Sequence, residues 1–138
     1  MTTGVDYRSQ ILSVLDDLKL DYSTGVITSD RITFVITNLA IEQKVVIEWT
    51  DRCLLLIRNV ALFLLPEMAR LPVAEMLVRN NWALSTGNFE LDFSDGEIRF
   101  KASAFYYDMA DIKPIFTHHM KACLESFQDV VPKLRALA

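Results

Sequence analysis

The stretch Leu71–Phe105, LPVAEMLVRN NWALSTGNFE LDFSDGEIRF KASAF, decides the fold. Phe89, Leu91 and Phe93 alternate with Glu90 and Asp92. Ile98, Phe100, Ala102 and Ala104 alternate with Glu97, Arg99, Lys101 and Ser103. A period of two puts one face of a strand in a core and the other in water. Ser94-Asp95-Gly96 separates the two runs, and Asp-Gly is a strong short-range signal for a hairpin. On the wet face, Glu90 and Asp92 can meet Arg99 and Lys101, pairs worth about 0.2–1 kcal/mol each. Upstream, a helix is expected over about Pro72–Asn81. Pro72 suits a first helical turn, so Pro66–Arg70 reads as a preceding turn. Met68, Leu71, Leu77, Val78 and Trp82 are its possible core contacts.

Three strands are expected before that helix. Arg31–Thr37 carries Ile32, Phe34 and Ile36 on one face, and Lys44–Thr50 carries Val45, Ile47 and Trp49. β-branched and aromatic residues favour strands in both. Cys53–Val60, CLLLIRNV, is apolar on both faces, as in a strand covered on both sides. Ala61–Leu65 either extends it or begins a loop. A bare face there is an aggregation hazard, so a helix of the same chain, a second subunit or a client must cover it. Short links make these strands antiparallel neighbours.

The ends read as helices. Asp6 caps a first helix with Ile11, Val14, Leu15 and Leu18 on one side, and DYSTG, residues 21–25, ends it. After Tyr106–Ala110 closes the sheet, Asp111 is a candidate cap and Pro114 fits a first turn. Phe116, Met120, Cys123, Phe127, Val130, Leu134 and Leu137 then step by four and three along one seam. Pro132 predicts a kink or break near Val131. The order is α-β-β-β-α-β-β-α: an α+β fold with an antiparallel sheet of about five strands and helices packed on it. A length of 138 residues predicts one domain, residues 1–138, with a core large enough to need no disulfide or metal.

Composition narrows the function. A net charge of −4 argues against nonspecific nucleic-acid binding, which relies on basic patches. The 51% hydrophobic content is high, so either the core is generous or a partner covers an apolar face. The N-terminus lacks a signal-peptide pattern and Cys53–Leu65 is too short and interrupted to span a bilayer; with Cys53 and Cys123 read as reduced small hydrophobes, a cytoplasmic location is expected.

Chemistry is scarce. His118 and His119 are adjacent on a helix and point about 100° apart. His119 and Cys123 share a face but make two ligands where structural zinc takes four. The serines lack a nucleophile-elbow context. The four glycines, at 4, 25, 87 and 96, build no phosphate loop. Asp16-Asp17 and Asp108/Asp111 read as caps or solvated faces. No catalytic, metal or cofactor site is assigned, and the chain is not expected to be an enzyme. Asn80-Asn81-Trp82 reads either as a helix end with Trp82 in the core or as a polar recognition corner.

Asn80-Asn81-Trp82, Gly87–Asp92 and Asp95–Phe100 together resemble the YbjN family of bacterial proteins, in which a helix ends in Asn and an aromatic, a small turn and an F-x-L-D strand follow, and then D-G-E-I and an aromatic strand. That family is similar in fold to type III secretion chaperones of the CesT kind, whose element order agrees with the one read above. The resemblance implies a non-enzymatic, homodimeric protein that holds or regulates a protein client, with no catalytic residues to carry over. The candidate partner or dimer surface is Leu54, Leu56, Val60, Leu62, Leu64 and Trp82. The alternative is a small-molecule-sensing domain in which the apolar strand and Trp82 line a pocket.

Overall fold

A computed structural model describes residues 4–138. The elements are α1 (Tyr7–Asp17), β1 (Val26–Ile27), β2 (Arg31–Ile36), β3 (Gln43–Trp49), β4 (Leu54–Leu64), α2 (Glu67–Trp82), β5 (Asn88–Leu91), β6 (Glu97–Phe105) and α3 (Lys113–Arg135). The fold is α+β, with one antiparallel sheet of six strands ordered β1-β2-β3-β4-β6-β5. The expected element order holds; the extra strand is β1, two residues at the edge beside β2.

Register explains the alternation. Phe34, Val45, Asn59, Phe100 and Phe89 lie in one row across five strands, and Ile32, Ile47, Ile57 and Ala102 form the next row on the same face. These rows are buried. The buried side chains of all three helices join this core: Ile11, Val14 and Leu15 from α1, Val73 and Leu77 from α2, and Phe116 to Leu134 from α3. The α3 seam is buried as its spacing predicts, except Leu137, which lies beyond the helix and is half exposed.

Asp6 caps α1, its carboxylate accepting from Ser9 N at 3.0 Å, and this bond, with one from the Ser9 hydroxyl, lowers its pKa. α3 differs from its expected start. Ile112 occupies the cap position and Asp111 instead accepts from Lys113 N at 3.0 Å in a local turn. The helix also runs through Pro132 to Arg135. Pro132 removes only the bond to Gln128 O, and Val131 and Leu134, buried on either side of it, hold the last turn against the core. Tyr106–Ala110 adds no strand. β6 ends at Phe105, and Tyr106 turns inward, donating from its hydroxyl to Thr50 O at 3.0 Å.

Two further differences matter. β4 continues to Leu64, eleven residues in all, with a register irregularity between Val60 and Leu64. And α2 begins at Glu67, leaving Pro72 inside it. Pro72 lacks the N–H that would bond Met68 O; Met68 is exposed, so water can satisfy the freed carbonyl.

The β5–β6 hairpin closes more widely than Ser94-Asp95-Gly96. β5 stops at Leu91, and Phe93 is exposed in the loop. Asp92 accepts from Ser94 N at 2.8 Å, and Gly96 N bonds Asp92 O at 2.8 Å. Gly96 alone in this loop takes a positive φ, +85°. Its carbonyl accepts from Leu65 N at 3.0 Å, and a Cβ here would collide with the Leu65 backbone. This contact ties the hairpin to the β4–α2 junction. Gly96→Ala is therefore expected to lower stability by about 2 kcal/mol or more, combining left-handed strain with the clash. Urea unfolding measures it.

Candidate interaction surfaces

The chemistry-bearing residues do not converge. His118 Nε2 lies 3.1 Å from Thr86 Oγ1, and His119 Nδ1 lies 2.7 Å from Ile115 O. A carbonyl can only accept, so His119 Nδ1 carries the proton and donates. The two rings meet edge to face. Cys123, four residues on, is fully buried. Among the described residues, no three His, Cys, Asp or Glu side chains group as metal ligands, and no helix is long and apolar enough to cross a membrane.

Asn81 has a structural task that its position at a helix end explains. Its Nδ2 donates to Phe89 O at 3.1 Å, and its Oδ1 accepts from Phe89 N at 2.8 Å. One side-chain amide thus satisfies both backbone groups of an edge-strand residue, as a neighbouring strand would. Trp82, the next residue, does not enter the core. It is 92% exposed.

The rest of α2 repeats that outcome. Of its five expected core contacts, only Leu77 is buried, joined by Val73. Met68, Leu71 and Val78 are 87%, 73% and 67% exposed. With Trp82 they step by three, seven and four residues, a single stripe interrupted only by Glu75. Glu75 and Arg79 pair at 2.9 Å on the same exposed surface. Val78, Arg79 and Trp82 border an open hollow of about 410 Å³.

The remaining candidate residues divide along β4. Its inward positions, Leu55, Ile57, Asn59 and Ala61, belong to the buried face. On the outward face Leu54 and Leu56 are half-buried, Val60 is buried, and Leu62 and Leu64 are half-exposed. Long side chains on neighbouring strands shield the middle. Arg58 pairs with Glu48, and Glu90 holds Arg99 at 2.6 Å and Lys101 at 2.8 Å. Burial raises the Glu90 pKa, but the bonds from Lys101 and Arg99, with their charges, outweigh it and leave the carboxyl lowered. Asp92, expected to share these cations, instead turns to Ser94. So one face of β4 is core, and the other is a thin apolar floor under paired charges.

With this geometry the class is an antiparallel α+β fold whose outstanding features are surfaces. No model of a known protein family matches the chain, and no curated protein matches it. Solved structures do. YbjN of E. coli, a candidate transcription regulator, superposes with a TM-score of 0.65 at 18% identity, covering 94% of this chain and 91% of that one. A chain of the HopA1–SchA chaperone–effector complex superposes at 0.59 and 13% identity, covering 91% and 92%. The chain has a YbjN-like, chaperone-like fold.

Two measurements check this reading. Asn81→Leu leaves the Phe89 N–H and C=O without their partner and is expected to cost about 1–3 kcal/mol, while Asn80→Ala costs under about 0.5 kcal/mol. Denaturant unfolding and exchange of the Phe89 amide report both. The second concerns alkaline stability. Burial pushes the Cys123 thiol up to about 12, from 9.0 in an unfolded chain. A folded pKa above the unfolded one contributes stability that is present below pH 9 and lost as pH rises toward 12. Burial, then the acidic groups of Cys53, Tyr7 and Asp51, likewise push Tyr106 to about 12, with the same sign. Unfolding midpoints are expected to fall through this window, and less steeply in Cys123→Ala.

Proposed function

We propose that the chain is a non-enzymatic, chaperone-like or regulatory protein-binding module: one cytoplasmic domain that works as a homodimer and holds a protein segment. The observation that carries this reading is the exposed α2 stripe. Its positions are nearly symmetric about Glu75, with Met68 and Trp82 seven residues to either side and Leu71 and Val78 four and three: in an antiparallel pair of α2 helices related by a two-fold axis, Met68 lies near the partner's Trp82 and Leu71 near the partner's Val78. Glu75 then sits at the axis, within reach of Arg79 on either helix, so its charge is matched. Full burial is worth about 1.5–3 kcal/mol per large apolar side chain, or roughly 12–24 kcal/mol for the eight in a pair. Association costs about 4–15 kcal/mol. The balance favours a dimer. The two free cysteines suit a reducing compartment. The chaperone–effector complex among the structural neighbours supports a protein client over the small-molecule alternative, for which the open hollow beside Trp82 offers little enclosure.

Light scattering on a sizing column tests the pairing. The chain is expected to run at twice its 15.8 kDa mass at micromolar concentration. Leu71→Glu with Val78→Glu is expected to give a monomer with unchanged circular dichroism, since both side chains lie outside the core. A monomeric parent chain removes the homodimer.

A further inference from the structure

The outward face of the sheet differs in kind from α2. Its three central rows can be read from the register: Arg31, Glu48, Leu56 and Ser103; Thr33, Val46, Arg58, Lys101 and Asn88; Val35, Lys44, Val60, Arg99 and Glu90. Five cations stand there against two carboxylates, on a chain whose net charge is −4. The acidic excess therefore lies elsewhere, and this face is locally positive. Its cations are not all neutralised. Among the described residues, Arg31 and Lys44 lie within ion-pair distance of no carboxylate, and Arg99 and Lys101 share one. Arg58 gives one nitrogen to Glu48 and leaves Nε with no acceptor.

Apolar groups bracket the cations. Leu54 pairs in register with Phe105, whose exposed ring stacks on exposed Tyr107 at 5.7 Å. Leu62 and Leu64 stand at the other end of β4. From Leu54 to Leu62 is eight residues along a strand, about 27 Å at ~3.3 Å per residue. Val46, Leu56 and Val60 form the floor between.

We infer that this face docks an extended acidic peptide segment of about eight residues, apolar at its ends and carboxylate-bearing in the middle. The segment would lie across the side chains of β4. Apolar anchors would rest on Leu54–Phe105 and on Leu62–Leu64, and carboxylates on Arg31, Lys44, Arg58 and Lys101. A single-stranded nucleic acid fits less well. A surplus of three positive charges in the central rows, with Glu48 and Glu90 among them, Glu97 at the Leu64 end and an acidic protein around it, matches a few carboxylates better than a run of phosphates. Screening within about 8–10 Å lets a short segment feel this local surplus more than the distant acidic excess. The inference rests on the protein-binding reading but not on the dimer.

The test is fluorescence anisotropy with a labelled peptide of two leucines, four glutamates and two leucines. Expected are saturable binding at low salt, at least about tenfold weaker binding in Arg31→Glu with Lys44→Glu, and loss near 0.5 M salt. Both substituted side chains lie outside the core and outside any ion pair, so the fold is expected to survive; circular dichroism checks it. The same peptide with lysines for the glutamates is expected not to bind. The Leu71→Glu, Val78→Glu chain is expected to bind like the parent. Failure of the acidic peptide, equal binding of the lysine peptide, indifference to Arg31→Glu with Lys44→Glu, or tighter binding of an eight-nucleotide oligothymidylate each overturns the inference. None of these touches the α2 dimer, which light scattering judges separately.

Discussion

The fold depends on β4 being paired along both edges. β4 pairs with β3 over seven residues and with β6 from Leu54 to Val60, so it joins the sequential meander to the later hairpin. Because side chains alternate with period two, a slip of one residue in either pairing would turn Leu55, Ile57 and Ala61 out to solvent and bring Leu56 and Arg58 inward. A polar contact strengthens this register. Asn59, fully buried in β4, donates to Gln43 Oε1 at 2.6 Å, and Gln43, fully buried at the start of β3, donates to Ile41 O at 3.3 Å. If β4 slipped, Asn59 would turn out with Leu55, Ile57 and Ala61, and Gln43 would lose its partner while still desolvated, at about 1–3 kcal/mol.

That constraint also explains which parts of the fold were legible in the sequence. Strands β2, β3 and β6 have one wet face, so their alternation shows directly. The α3 seam is apolar on one side only, so its buried residues follow from spacing. β4 shows no such alternation, because its outward face carries leucines and valines as well as Arg58. Its run of apolar residues implies a strand that needs a cover. Charges on neighbouring strands, which no local pattern in β4 encodes, shield its middle, while its ends stay open.

α2 misleads for the opposite reason. Apolar residues lie all round it, so periodicity picks out no inward side. Met68, Leu71, Val78 and Trp82 are expected as core contacts and instead face solvent. Only Val73 and Leu77 are buried. A helix with apolar residues on every side buries only part of them against a single sheet face. The lack of a single apolar side was the available signal, and it distinguishes α2 from α3.

The two surfaces impose different kinds of recognition. The α2 stripe has little net charge and is nearly symmetric about Glu75, which is the basis of the proposed self-pairing. The sheet face is asymmetric and positively charged, so pairing it with its own copy would set cations against cations. Its charge is complementary to carboxylates instead. The β5 edge is withdrawn from competition: Asn81 occupies the backbone groups of Phe89 that an added strand would use. With those groups occupied, backbone pairing at Phe89 is blocked. In the proposed reading, self-association and client binding use separate surfaces, because the α2 stripe and the outward sheet face share no residue.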